Sequence, residues 1–374
     1  MQIADFALER YFARWEFHVR HVLCASDLEP MALDEVIALA DEETRALWSN
    51  LRLGYTESLG HPLLRREIAS LYASAAPDEV LTFVGAEEAI FLTMHAALSA
   101  GDHVVVLWPA YQSLYEVARS IGATVTPVPL DPDSWTVDPQ ALIAAIRPNT
   151  RLVVVNFPHS PTGALASPDV FACVTNECEK RGIILFSDEV YRFLELDAAE
   201  RLPAAVDSGE RTVSLGVMSK AFALAGLRVG WIATHDEALR ARIARLKDYT
   251  TICGSAPSEI LALIALRARE HVIERSRAIL AANLPVLDSF FRRFSEQFVW
   301  IPPRGGSVAF PRLRSSEPKA IDRFCAELVE REGVLLLPGS YFEHGGNHFR
   351  VGYGRRDMPE ALDGLERFLT ARKG

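Results

Sequence analysis

Between about residue 80 and residue 235, short β-branched runs alternate with helical patterns, and this alternation narrows the possible folds more than any other feature of the chain. The strand candidates are Val80 to Val84, His103 to Leu107, Thr124 to Val128, Arg151 to Asn156, Gly182 to Ser187, Thr212 to Leu215 and Val229 to Thr234. Amphipathic stretches such as Ala86 to Leu98 and Pro139 to Ile146 lie between several of them. The second starts well: Asp138 is a capping residue, and Pro139 suits the first helical position, where no N–H is missed. The pattern predicts an α/β protein with a mostly parallel seven-stranded sheet covered by helices on both faces. Such sheets take ligands outside the carboxyl ends of their strands, so the loops that follow strands are where chemistry is expected.

The flanking regions read differently. Residues 256 to about 297 carry long helical patterns, and after the Pro302-Pro303-Arg304-Gly305-Gly306 turn the chain mixes strands and helices. We therefore expect a large domain over residues 41–255 and a small α/β domain assembled from 1–40 and 256–374. A length of 374 residues is compatible with two or three domains.

Composition removes several classes of function. The formal charge of −10 disfavours a nucleic-acid protein, which would show a basic stripe, and no apolar run approaches the length of a membrane helix. The N-terminus lacks a basic segment followed by an apolar one, so no signal peptide is expected. Five scattered cysteines without a Cys-x-x-Cys pair read as reduced thiols of a cytoplasmic protein. His18 and His21 lie three apart, but no third ligand stands beside them, so no metal site is expected.

Four loops after strands carry the candidate chemistry. In Val84-Gly85-Ala86-Glu87-Glu88-Ala89 a strand stops at glycine and a helix begins, an arrangement whose free N–H groups suit a phosphate, or which serves simply as a turn. Asn156-Phe157-Pro158-His159-Ser160-Pro161-Thr162-Gly163 is a proline-stiffened loop, either a scaffold that aims polar groups at a ligand or a structural turn. In Ser187-Asp188-Glu189-Val190-Tyr191 an acid ends an apolar strand, which is costly unless Asp188 meets a positive or protonated group. The fourth runs from Ser219 and Lys220 to Arg228 and Trp231 through an almost wholly apolar loop. Apolar surroundings disfavour a charged amine, which is what an amine nucleophile needs.

Taken together, and with Asp188 thirty-two residues before Lys220, these motifs resemble the fold-type I pyridoxal-phosphate enzymes, specifically the class I/II aminotransferases. The resemblance runs from Tyr55 to Arg350. It implies that Lys220 forms the Schiff base with the cofactor and shuttles the substrate proton. Asp188 would pair with the pyridine nitrogen, and Tyr191 would bond the ring's phenolic oxygen. Arg228 would be the phosphate's main cation, joined by Ser219 and the amides of Gly85, Ala86 and Glu87. Tyr111 would stack on the ring, and Arg350 would grip the substrate carboxylate in a two-pronged pair. Tyr55 matches a tyrosine that reaches the phosphate of the neighbouring subunit, so the resemblance also implies a homodimer.

Two positions depart from the family pattern. Ser160 stands where an asparagine usually donates to the phenolic oxygen, with Asn156 nearby as partial compensation, and Val217 replaces a phosphate-binding hydroxyl. For the substrate, Leu23 to Pro30 falls where relatives place a loop over the cleft, so Ser26 and Asp27 are candidate substrate contacts. Asp27 or Glu29 would greet a basic side chain such as arginine or hydroxyarginine, or serve only as surface charge. That stretch, with Lys247 to Cys253, resembles the branch that includes capreomycidine synthase, where the cofactor supports elimination and cyclisation. Transamination between an amino acid and a 2-oxo acid is the expected reaction, with elimination or cyclisation as its rival. A non-catalytic regulatory module is disfavoured, since no basic recognition helix is visible ahead of the core.

Overall fold

Alternate residues along the predicted strands belong to two different cores. In the computed structural model, which describes residues 2–372, Val104, Val106, Leu152, Val154, Ile184 and Phe186 pack on one side. Val105, Leu107, Val153, Val155 and Leu185 pack on the other. Side chains of a strand alternate between faces, so a strand buried on both reads as a continuous apolar run. The first face is covered by helices Gly85–Ala97, Ser113–Ile121 and Glu237–Lys247, the second by helices Pro139–Ala144 and Pro168–Arg181.

Seven strands form this sheet: β1 (Val80–Phe83), β2 (His103–Trp108), β3 (Thr124–Pro129), β4 (Thr150–Asn156), β5 (Ile184–Asp188), β6 (Thr212–Val217) and β7 (Gly230–Ala233). Their order is β1-β7-β6-β5-β4-β2-β3. Only β7 runs against its neighbours β1 and β6, so the sheet is mostly parallel, as expected. The start of β7 therefore meets the ends of the strands beside it, with Gly230 opposite both Phe83 and Val217. Element ends shift slightly from the sequence reading. Gly182 takes φ +66° and closes helix Pro168–Arg181, so β5 begins only at Ile184. Asp138 caps its helix as expected, accepting from the Gln140 N–H at 2.8 Å.

The long helical pattern resolves into Ala256–Arg267 and Arg269–Arg293. Beyond it a three-stranded sheet pairs Phe349–Gly352 with Leu337–Pro338 and Val308–Ala309. The N-terminal segment is laced to this region. The N–H groups of Arg20 and His21 donate to Gly333 O, Leu335 N donates to His21 O, and Gly352 N donates to Leu23 O. At that crossing a β-carbon on Gly352 would lie 2.0 Å from Ala25 O, so only glycine lets the two backbones pass. The lacing carries residues 24–27 across the strand ends of the large sheet.

Candidate active site

The carboxyl ends of β2, β4, β5 and β6 open on one cleft of about 420 Å³. Asp188 is the last residue of β5, in register with Asn156 at the end of β4, and Lys220 lies three residues beyond β6. Twelve of the residues named from sequence line the cleft: Ser26, Asp27, Ala86, Glu87, Tyr111, Ser160, Asp188, Tyr191, Ser219, Lys220, Arg228 and Arg350. Gly85, Asn156 and Tyr55 do not.

Each of those three has a different place. Gly85 stands behind Arg228: at φ +80° its missing β-carbon would fall 2.5 Å from Arg228 Nη2. Asn156 is buried and works within the wall, its Nδ2 donating to Asp188 O at 2.8 Å and its Oδ1 accepting from Ser160 N at 2.6 Å. With both ends of its amide engaged, it braces the loop instead of supplying a donor to the cleft. Tyr55 is 91% exposed on the outer surface of the protomer.

Asp188 is 5% exposed and makes no ion pair among the described residues; its Oδ1 accepts from Val190 N at 3.1 Å. Burial pushes its carboxyl up to about 7, against the Val190 N–H, and the Glu87 charge pushes the same way. A carboxylate so placed calls for a cationic or protonated partner from the cleft. Burial likewise raises Glu87 to about 7, opposed by hydrogen bonds from Tyr111 and Ser113. The Tyr111 hydroxyl donates to Glu9 Oε1 at 3.1 Å, and Phe6 covers its ring with centroids 5.2 Å apart.

Lys220 Nζ donates to Ser26 Oγ at 2.8 Å and lies 5.6 Å from the centre of the Tyr191 ring. The Tyr191 hydroxyl donates to Ser26 O at 3.0 Å, so bonding a ring oxygen would require it to change partner. Arg350 is 2% exposed, and its Nε donates to Cys24 O at 3.0 Å. The guanidinium sits 5.6 Å from the Phe12 ring centre and 5.7 Å from that of Phe342. Among the described residues it makes no direct ion pair; Glu16, across the same cleft, is the acid its charge acts on. Arg228, at φ +52°, faces the same space beside Ser219.

The acids of the N-terminal segment are arranged differently from expectation. Asp27 lines the cleft, but Arg355 Nη2 already engages both its oxygens at 2.9 and 2.8 Å. Glu29 lies outside and accepts from Arg356 N. Glu9 and Glu16, which sequence reasoning missed, line the cleft together with Phe12. Their spacing of three and then four residues was the available signal, since it places all three on one helix face. Burial raises the Glu16 carboxyl, the charges of Asp27 and Glu9 add to this, and those of Arg355 and Arg350 oppose it.

Comparison with known proteins agrees with this geometry. The family described as Aminotransferase class I and II matches residues 22–365. The chain belongs to that family. This aminotransferase is 33% identical to capreomycidine synthase of Streptomyces vinaceus over 322 residues, 84% of this chain and 78% of the relative. Its fold superposes on a PLP-dependent aminotransferase from Streptococcus suis with a TM-score of 0.92 and 27% identity, covering 99% of each chain. It superposes on the PLP-dependent cyclase OrfR with a TM-score of 0.90 and 33% identity, covering 100% of this chain and 98% of the other.

Proposed function

We infer that this enzyme uses pyridoxal phosphate to exchange an amino group between an amino acid and a 2-oxo acid. One observation carries this: a buried acid (Asp188) that makes no ion pair among the described residues, an amine (Lys220) and two arginines (Arg228 and Arg350), neither of them ion-paired among those residues, share one cleft. Pyridoxal phosphate, when bound, supplies an electron sink for the carbanion at the substrate Cα. Asp188 holds a proton on the ring nitrogen, which also relieves its own burial. Arg228 and Ser219, with the amides at the start of helix Gly85–Ala97, hold the phosphate. Tyr111 would stack on the ring, Ser160 and, after leaving Ser26 O, Tyr191 would bond its oxygen, and Arg350 would take the substrate carboxylate. Lys220 is the amine that anchors the cofactor and, once displaced, takes the proton from Cα.

The substrate side chain faces Glu9 and Glu16, neither of which makes a direct ion pair among the described residues, although the charges of Arg355 and Arg350 act on Glu16. This supports a donor with a cationic side chain. It also keeps a second reading in view, elimination or cyclisation of an arginine-derived amino acid, which the likeness to capreomycidine synthase favours. A panel of amino acids offered to the holoenzyme, with the cofactor absorbance followed, tests both. Loss of the resting band with release of a 2-oxo acid supports transamination. Release of ammonia or a cyclised product without any acceptor supports the second reading.

A homodimer is part of the same proposal. Leu53, Tyr55 and Tyr249 are 86%, 91% and 87% exposed, an apolar surface that a second copy would cover. So is the division into residues 41–255 and 1–40 with 256–374, which the lacing of residues 20–25 to 333–352 supports. No helix of the described residues is long and apolar enough to cross a membrane. The five free cysteines support a cytoplasmic location.

A further inference from the structure

Ser26 is held more firmly than a residue that merely lines a cleft needs to be. Its carbonyl accepts two hydroxyls, from Tyr191 at 3.0 Å and from Ser307 at 2.7 Å, and both donors are buried, at 1% and 0% exposure. On one side, Cys24 O accepts Arg350 Nε and Ala25 is pressed against Gly352. On the other, Asp27 is clamped by Arg355. The backbone of Ser26 is therefore held in place, and its hydroxyl lies 2.8 Å from Lys220 Nζ.

The chemistry of this pair is specific. Among the described residues Lys220 makes no ion pair, and its hydrogen-bond partner is a hydroxyl. The hydroxyl accepts an N–H from the amine, and an N–H pointed at Ser26 Oγ sets the direction in which the nitrogen is held.

We propose that Ser26 is a positioning residue for Lys220: its hydroxyl catches the amine whenever it is released from the cofactor and holds it in reach of the substrate Cα. This rests on the reading of Lys220 as the cofactor-bearing amine. The proposal predicts a defect in the steps that use the free amine and little change in those that use Arg350.

The test uses Ser26→Ala and Ser26→Thr in the full-length enzyme, with Lys220→Ala alongside. Three quantities are measured: the rate at which cofactor-stripped enzyme captures pyridoxal phosphate in a borohydride-trappable form, the kcat and KM for the best donor, and the isotope effect with Cα-deuterated donor. Ser26→Ala is expected to slow capture and kcat by about fivefold to tenfold, the worth of one hydrogen bond. KM should stay within twofold of wild type, and the isotope effect should rise. Ser26→Thr, which keeps a hydroxyl, should recover most of the loss. Capture and kcat unchanged in Ser26→Ala would overturn the proposal, as would a rise in KM alone or a threonine variant as impaired as the alanine one. Trappable cofactor in Lys220→Ala would instead overturn the underlying reading of Lys220, so the two failures are distinguishable.

Discussion

Gly85 and Arg228 share a space that holds one guanidinium and no β-carbon: a methyl on Gly85 would lie 2.5 Å from Arg228 Nη2. The arginine's approach to the cleft thus depends on a glycine that follows a different strand. Gly85→Ala is expected to displace Arg228 and to strain a backbone at φ +80°. Affinity for pyridoxal phosphate should fall by about tenfold or more, the worth of a charge-assisted contact. Titration of stripped enzyme with the cofactor measures this, and unchanged affinity would show that Arg228 does not hold the phosphate.

The pH dependence of stability should carry the signature of Asp188. In the folded protein its carboxyl sits at about 7 instead of 3.8, because burial disfavours the charged form. The folded state therefore binds that proton more tightly than the unfolded chain. Its contribution is fully present below about pH 4 and is lost as pH rises through about 7, by up to about 4 kcal/mol. Glu87, raised by burial in the same way, acts in the same direction. Melting temperatures of cofactor-free wild type should fall between pH 5 and pH 8 relative to those of Asp188→Asn. Adding pyridoxal phosphate should narrow the gap by giving the carboxylate a protonated partner. Parallel curves for the two proteins would contradict this.

Arg350 is buried between Phe12 and Phe342 and makes no direct ion pair among the described residues, so its replacement should be felt by the carboxylate it awaits. Arg350→Lys keeps the charge but cannot make a two-pronged pair. KM for the amino donor should rise by about tenfold to a hundredfold while the absorbance spectrum of the bound cofactor stays unchanged. A lost cofactor band would mean that the arginine supports the fold of the site instead.

Substrate choice should move with Glu9 and Glu16. The double variant Glu9→Gln/Glu16→Gln is expected to lower kcat/KM for donors with cationic side chains by about tenfold, with neutral donors changed less than twofold. The preference should also weaken as salt is raised, since Glu9 is exposed. Equal losses for cationic and neutral donors would remove the basis for a cationic substrate.

How much of this was legible before the structure depends on what each residue touches. Asp188 was readable because a costly group at the end of an apolar strand needs a local reason, whereas Lys220 and Arg228 were readable from the apolar loop between them and its resemblance to a family motif. The direction of β7 was not, because the apolar pattern of a strand is the same read either way. Asp27 looked like a free acid, since its partner Arg355 lies 328 residues away and nothing local announces it. Asn156 looked like a ligand donor for the opposite reason: its partners, Asp188 O and Ser160 N, are backbone atoms, which a sequence does not display. Glu9 and Glu16 carried a helical spacing but no sign of what the helix would face.

The lacing of residues 20–25 to residues 333–352 has a consequence for which parts of the chain complete the site. The residues proposed to grip the cofactor in the cleft all lie between Gly85 and Arg228. The grip on the substrate needs Arg350, and Ser26 finds its place only when the strand carrying Gly352 arrives to pin it. A chain without residues from 350 onward would lack both Arg350 and the strand that pins Ser26, so the proposed grip on an amino acid is closed by the two ends of the polypeptide together.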